Sequence, residues 1–134
     1  MKLNKSLRLM TLCGGLLFNT SLSAKPKPFN LNELITEAWR LTLLNHREEG
    51  FRVDILSDGQ HATWAPHGNT EFISVPLTTS TVAVYHTHPL EANGHLSGHD
   101  IEFAVKYKVK VYVIYLGKVT EVVDLTGTVS QVTW

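Results

Sequence analysis

The chain has 134 residues, with 12 basic against 12 acidic side chains and a formal net charge of zero, so no partner held by bulk charge, nucleic acid included, is expected. A hydrophobic fraction of 43% suits one domain with its own core. The only cysteine, Cys13, excludes a disulfide framework and a cysteine-ligated metal.

The first residues have the layout of a secretory signal peptide. Lys2, Lys5 and Arg8 precede an apolar run at 9–18 (LMTLCGGLLF), and 19–24 (NTSLSA) ends in small residues. The division expected is a signal peptide at 1–24 and one domain at 25–134, in a secreted or periplasmic protein. Cleavage after Ser23 is the next option. Leu22, where a small residue is wanted, keeps an uncleaved anchor as the competing reading. Leu12 argues against lipidation at Cys13. Removing 1–24 takes away Lys2, Lys5 and Arg8 and also Cys13, leaving an acidic domain with no thiol nucleophile. No later apolar run is long enough to span a bilayer as a helix.

After a polar KPKP leader at 25–28, Asn30 or Asn32 can cap a helix. Leu31, Leu34, Ile35, Ala38 and Leu41 recur at helical spacing and predict a helix over 31–45, closed by His46. Phe51, Val53 and Ile55 alternate with Arg52 and Asp54 as in a strand. A Ser57-Asp58-Gly59 turn leads to a return strand at 61–64. A second turn at 66–69 and a short strand at 72–75 follow, then the β-branched strand at 81–85. A helix at 98–106 precedes the most apolar strand, 110–116. Gly117-Lys118 predicts a two-residue turn with glycine first, into strands at 119–125 and 128–134. The order is that of an α/β domain, a mixed sheet with helices packed on it. His61 and His67 lie near turns and read as exposed. Trp64 and Trp134 read as core or edge residues.

Chemistry concentrates in Tyr85-His86-Thr87-His88-Pro89 and Ser97-Gly98-His99-Asp100. Residues two apart on a strand share a face, so His86 and His88 present two imidazoles together, and Pro89 ends the strand. Ser97 reads as a helix N-cap, which puts Asp100 in the first turn. Two imidazoles, one carboxylate and a fourth position for water suit catalytic zinc. Each half also has a plain reading: Ser-x-x-Asp is close to a capping box, and His-x-His can be a solvated pair. Five specified residues at fixed spacing, however, should arise by chance in fewer than roughly one in ten thousand such chains.

His86-Thr87-His88-Pro89, seven residues, then Ser97-Gly98-His99-Asp100 resembles the signature of the JAMM (MPN+) zinc metalloproteases. The resemblance implies that His86, His88 and Asp100 bind Zn2+ and that Ser97 stabilises the oxyanion. It implies a general-base glutamate from an earlier strand and a JAMM, cytidine-deaminase-like mixed sheet with flanking helices over about 31–125. In Arg47-Glu48-Glu49-Gly50, the Glu-x-Gly spacing favours Glu48, with Glu49 the alternative; the family's usual Glu-x-x-Gly is one residue longer. Alternation puts Glu48 on the face of Arg52 and Asp54, and Glu49 with Phe51 and Val53. If neither acts, both are solvated helix-end or loop carboxylates; with Glu48 as the base, Glu49 is a surface carboxylate and Glu49→Gln is mild. His95 and His99 flank Ser97, and His99 reads as solvated or as a substrate contact. The expectation is an exported zinc-dependent peptidase or isopeptidase acting on a peptide or isopeptide link, by default in the cell envelope. The rivals are an inactive binding module of the same fold and a cupin-type metal oxygenase. The cupin pattern places its glutamate one or two residues beyond Glu91 and lacks both helices. A nucleobase deaminase is excluded by the missing cysteine ligands.

Overall fold

Asn30 begins the first helix by accepting a hydrogen bond from the Glu33 amide on its side chain (3.2 Å). The helix, α1 (Leu31–Asn45), ends where His46 turns left-handed and donates its N–H to the Thr42 carbonyl. These details come from a computed structural model, which describes Asn4–Lys5 and residues 28–132. The segment 6–24, Cys13 and Trp134 lie outside the described residues.

The remaining elements are β1 (Asn4–Lys5), β2 (Gly50–Leu56), β3 (Gly59–Trp64), β4 (Pro76–Leu77), β5 (Thr81–Thr87), α2 (Gly98–Tyr107), β6 (Lys110–Tyr115), β7 (Lys118–Val123) and β8 (Val129–Gln131). Six of the strands form one mixed sheet in the order β3-β2-β5-β6-β7-β8. Its one parallel pair is β5–β6, joined by α2; the other pairs are antiparallel. A parallel pair needs a crossover, and α2 supplies it. The result is a single small α/β domain.

Strand alternation sends side chains to two cores. Phe51, Val53, Ala83, Tyr85 and Ile114 pack with Ile35 and Ala38 of α1. On the other face Val84, Val111 and Val123 pack with Phe103 and Ala104 of α2. Among the described residues, no helix is long and apolar enough to cross a membrane.

Three expected elements differ. The turn expected at 66–69 lies further on: 66–69 is irregular backbone, and the chain bends at 70–71, where the Asn69 amide donates to the Phe72 carbonyl (2.9 Å). Residues 72–75 are not a strand; Ile73 and Val75 are buried in the α2-side core from irregular backbone. Their apolar character reports burial, which a short run cannot distinguish from ladder pairing. The ladder lies at Pro76–Leu77, paired in parallel with Asn4–Lys5. The β6–β7 turn is centred on Leu116 and Gly117, both at positive φ (56° and 83°), with Tyr115 opposite Lys118. Glycine is therefore second, as a type I′ turn favours, and Lys118 belongs to the strand.

On the α1 face an aromatic ladder crosses four strands. Trp64, Phe51, Tyr85 and Tyr112 are successive cross-strand partners with ring centroids 5.3, 5.1 and 4.3 Å apart. Phe51 is wholly buried between two of these rings. Phe51→Ala is expected to cost about 3–5 kcal/mol. The check is a urea transition with a lower midpoint at unchanged slope.

Candidate metal centre

β5 ends at Thr87, so His86 is its penultimate residue and His88 follows just beyond. The expectation that both histidines sit on the strand holds only for His86. His88 stays aligned because its N–H donates to the Ile114 carbonyl of β6 (3.1 Å), and Pro89 then turns the chain away. The two imidazoles still face one side, with Nε2 atoms 3.2 Å apart.

The chain returns through residues 89–96, pinned to β6 and β7. Tyr115 donates its hydroxyl to the Leu90 carbonyl (2.9 Å), Thr120 to that of Gly94 (2.6 Å), and the Leu96 amide donates to Glu121 (2.8 Å). His95 also pairs with Glu121 through Nδ1 (2.8 Å), which gives it an anchoring role. Ser97 caps α2 in a full capping box. Its Oγ accepts from the Asp100 amide (3.2 Å), and its own amide donates to Asp100 Oδ2 (2.9 Å). The box fixes the Asp100 carboxylate and leaves the Ser97 hydroxyl proton free to donate.

Asp100 Oδ2 lies 3.4 Å from His86 Nε2 and 3.9 Å from His88 Nε2. His86 and Asp100 are 0% exposed. Among the described residues this is the one group of three His, Cys, Asp or Glu side chains arranged to hold a metal, with ligand atoms all within 4.8 Å of one another. His88 Nδ1 lies 2.8 Å from the Asn93 carbonyl, which can only accept, so Nδ1 carries the proton and Nε2 presents a lone pair inward. His86 Nδ1 and Asp100 Oδ1 have no hydrogen-bond partner among the described residues.

The residues fit a zinc ion. Ligand atoms about 2.0–2.1 Å from a tetrahedral metal stand about 3.3 Å from one another. The separations of 3.2, 3.4 and 3.9 Å bracket that edge. Imidazole and carboxylate donors at these separations suit a divalent cation.

The charges are strongly coupled. Burial disfavours a charged His86, but the Asp100 and Glu48 carboxylates outweigh it and hold its pKa above the ordinary value. Burial, then the neighbouring His86, push His88 down to about 4. Burial works against an ionised Asp100, yet His86, the Ser97 amide and His88 bring it down to about 2. His88 is thus poised as a neutral ligand and Asp100 as an anionic one.

Glu48 joins from the segment before β2. Gly50 is the register partner of His86, and Thr87 donates its N–H to the Glu49 carbonyl (2.8 Å), so the same ladder carries Glu48 opposite His88. A side chain at Gly50 has no room: a Cβ there would sit 2.5 Å from the Tyr85 carbonyl oxygen and 3.2 Å from His86 Cβ. Glu48 is 3% exposed, and its Oε1 has no partner among the described residues. Burial pushes its pKa up to about 7, against the pull of His86.

Neither carboxylate is solvated, which corrects that alternative. Glu49 is 1% exposed and points to the opposite side, where Arg47 Nε (3.1 Å) and His67 Nδ1 (2.7 Å) hold it. Its amide donates to Thr87 Oγ1 (2.9 Å), and the Thr87 and Thr42 hydroxyls hydrogen-bond each other. His67 is exposed yet bonded inward; His61 pairs with Asp58, His46 caps α1 and His99 is exposed. Sequence reading missed Thr87, Asn93 and the 67–69 segment as supports. The position of Thr87 between two histidines was the available signal, since alternation sends it to the other face.

Compared with known proteins, the chain matches no protein-family model, no curated protein and no solved structure.

Proposed function

We propose that this domain is a zinc-dependent amide hydrolase of the JAMM type, cutting a peptide or isopeptide bond. The observation that carries the reading is the convergence of His86, His88 and Asp100 on one point, with the buried Glu48 on the same side of the sheet. His86, His88 and Asp100 would hold the ion. When bound, zinc polarises a carbonyl and lowers the pKa of its water toward neutrality.

The rest falls to the chain. Glu48 accepts the proton of the attacking water and returns it to the leaving amine nitrogen. Its burial favours the neutral acid and thereby the return of that proton. Ser97 donates a hydrogen bond from its free hydroxyl to the carbonyl oxygen as negative charge builds there. Asn93 holds His88 in the ligating tautomer, and the capping box holds Asp100. The JAMM fold, export by the segment 1–24 and a cell-envelope substrate belong to the same proposal.

The test is metal content and hydrolysis measured separately. Protein purified without added metal should carry about one zinc per chain. The zinc-loaded form should cut members of a peptide and isopeptide library, lose that activity to a chelator and regain it with zinc. Zinc content near zero that persists after dialysis against zinc would sink the reading. One zinc without any hydrolysis would favour a binding module of the same fold.

A further inference from the structure

Glu48 has a buried carboxylate, yet nothing among the described residues grips its Oε1. A general base must be held in place by something. We infer that His67 is a positioning residue for Glu48, acting through Glu49; this rests on the reading of Glu48 as the base.

The segment Glu48-Glu49 is held from both edges. On one side the Glu48 amide donates to the Asn69 carbonyl (2.8 Å) and the Gly68 amide to the Glu48 carbonyl (2.9 Å). On the other side Thr87, between the two ligand histidines, exchanges bonds with the Glu49 backbone (2.9 and 2.8 Å). Those bonds fix the backbone's place. Its rotation is fixed by the Glu49 side chain, because adjacent residues on an extended segment point to opposite faces. His67 Nδ1 lies 2.7 and 3.0 Å from the two Glu49 oxygens, and Arg47 adds a third bond.

The histidine reaches inward from an exposed position: its side chain is 54% exposed and that of Glu49 only 2%. The backbone admits no looser packing at the next residue. A Cβ on Gly68 would lie 2.4 Å from the Phe72 carbonyl oxygen and 3.0 Å from that of Glu48. His67, Gly68 and Asn69 therefore form one clamp, and His67 holds its side-chain end. Pinning Glu49 on the α1 face aims Glu48 at the metal ligands on the α2 face.

The test compares zinc-loaded His67→Ala, His67→Gln and Glu49→Gln with wild type, and with His61→Ala as a control whose histidine pairs with Asp58, away from Glu49. The first readout is hydrogen exchange at the Glu48 and Glu49 amides, which needs no substrate. His67→Ala should speed it by about tenfold or more while core amides such as Val84 keep their rates. Zinc affinity should stay within about threefold, since no ligand is touched. Turnover of a library substrate should fall about tenfold to a hundredfold in kcat with KM unchanged, as for a misplaced reacting group. His67→Gln, which can still donate to Glu49, should recover most of both effects. His61→Ala should change nothing. In a Glu48→Gln background, adding His67→Ala should leave the residual rate unaltered.

Unchanged exchange at Glu48 in His67→Ala overturns the inference, whatever the turnover. So does faster exchange with full turnover in an active enzyme. Faster exchange in a protein whose wild type cuts nothing leaves the clamp standing and removes the peptidase reading instead. If His67→Ala does not fold, Glu49→Gln replaces it: by weakening the same contact it should speed exchange at Glu48 and lower kcat in the same direction, and unchanged exchange there overturns the inference.

Discussion

Glu48→Gln should retain zinc and fold while losing about a hundred- to ten-thousandfold in turnover, the usual cost of a missing general base. The amide keeps the shape of the carboxylate and cannot accept the proton of water. A second signature separates this loss from a structural one. The fold raises the Glu48 pKa from 4.5 to about 7 by burial. A carboxylic acid with a raised folded-state pKa favours the fold in its neutral form. Metal-free wild type therefore loses stability through this group as pH rises from about 4.5 to about 7, by up to about 3 kcal/mol. Glu48→Gln should lack that component, so the difference between the two denaturation curves should grow across the same window. An active Glu48→Gln enzyme removes Glu48 from the mechanism. Glu49→Gln should behave otherwise. It weakens the bonds to Arg47 and His67 and should cost about 1–3 kcal/mol, more than a surface carboxylate would.

His86→Ala should abolish metal binding under conditions where wild type saturates. Loss of an outer partner of a ligand costs ten- to a hundredfold in affinity, so loss of one ligand of three should exceed about a hundredfold. The same change should destabilise the metal-free protein by about 3–5 kcal/mol, because Asp100 is left buried without its closest cationic partner. Asp100→Ala should weaken the metal severely, and His61→Ala should leave it intact. Isothermal titration with zinc and chemical denaturation read the two effects separately. If His61→Ala costs as much affinity as His86→Ala, the ligand assignment is wrong.

Local patterns were legible in the sequence where local physics decides. The stripe from Leu31 to Leu41 with a cap at Asn30 or Asn32 pointed to a helix over 31–45, the bounds of α1, and Asn30 is the cap. Ser97 and Asp100 read as a near capping box and form one, because both partners lie within one turn. Alternation alone assigned Glu48 and Glu49 to opposite faces, and they occupy opposite faces. The burial of Glu49 was not legible: its partner Thr87 is 38 residues away in sequence, and only sheet register brings them together. Apolar residues at 72–75 showed that the segment is buried and left its backbone form open. Gly117 marked a turn, and the tolerance of Leu116 for a left-handed conformation moved that turn by one residue.

The parallel β5–β6 junction has a kinetic consequence. His86, His88 and Asp100 all come from the β5–α2 part of one crossover, so closing that short loop is enough to gather them, at little chain entropy. Glu48 arrives only when a distant segment pairs with β5, a contact of much longer range and slower formation. On the proposed function, zinc would therefore be captured during refolding by a chain that has not yet brought Glu48 to the site. Zinc present from the start should then speed assembly of the 81–107 region, with the metal triad formed before Glu48 joins it.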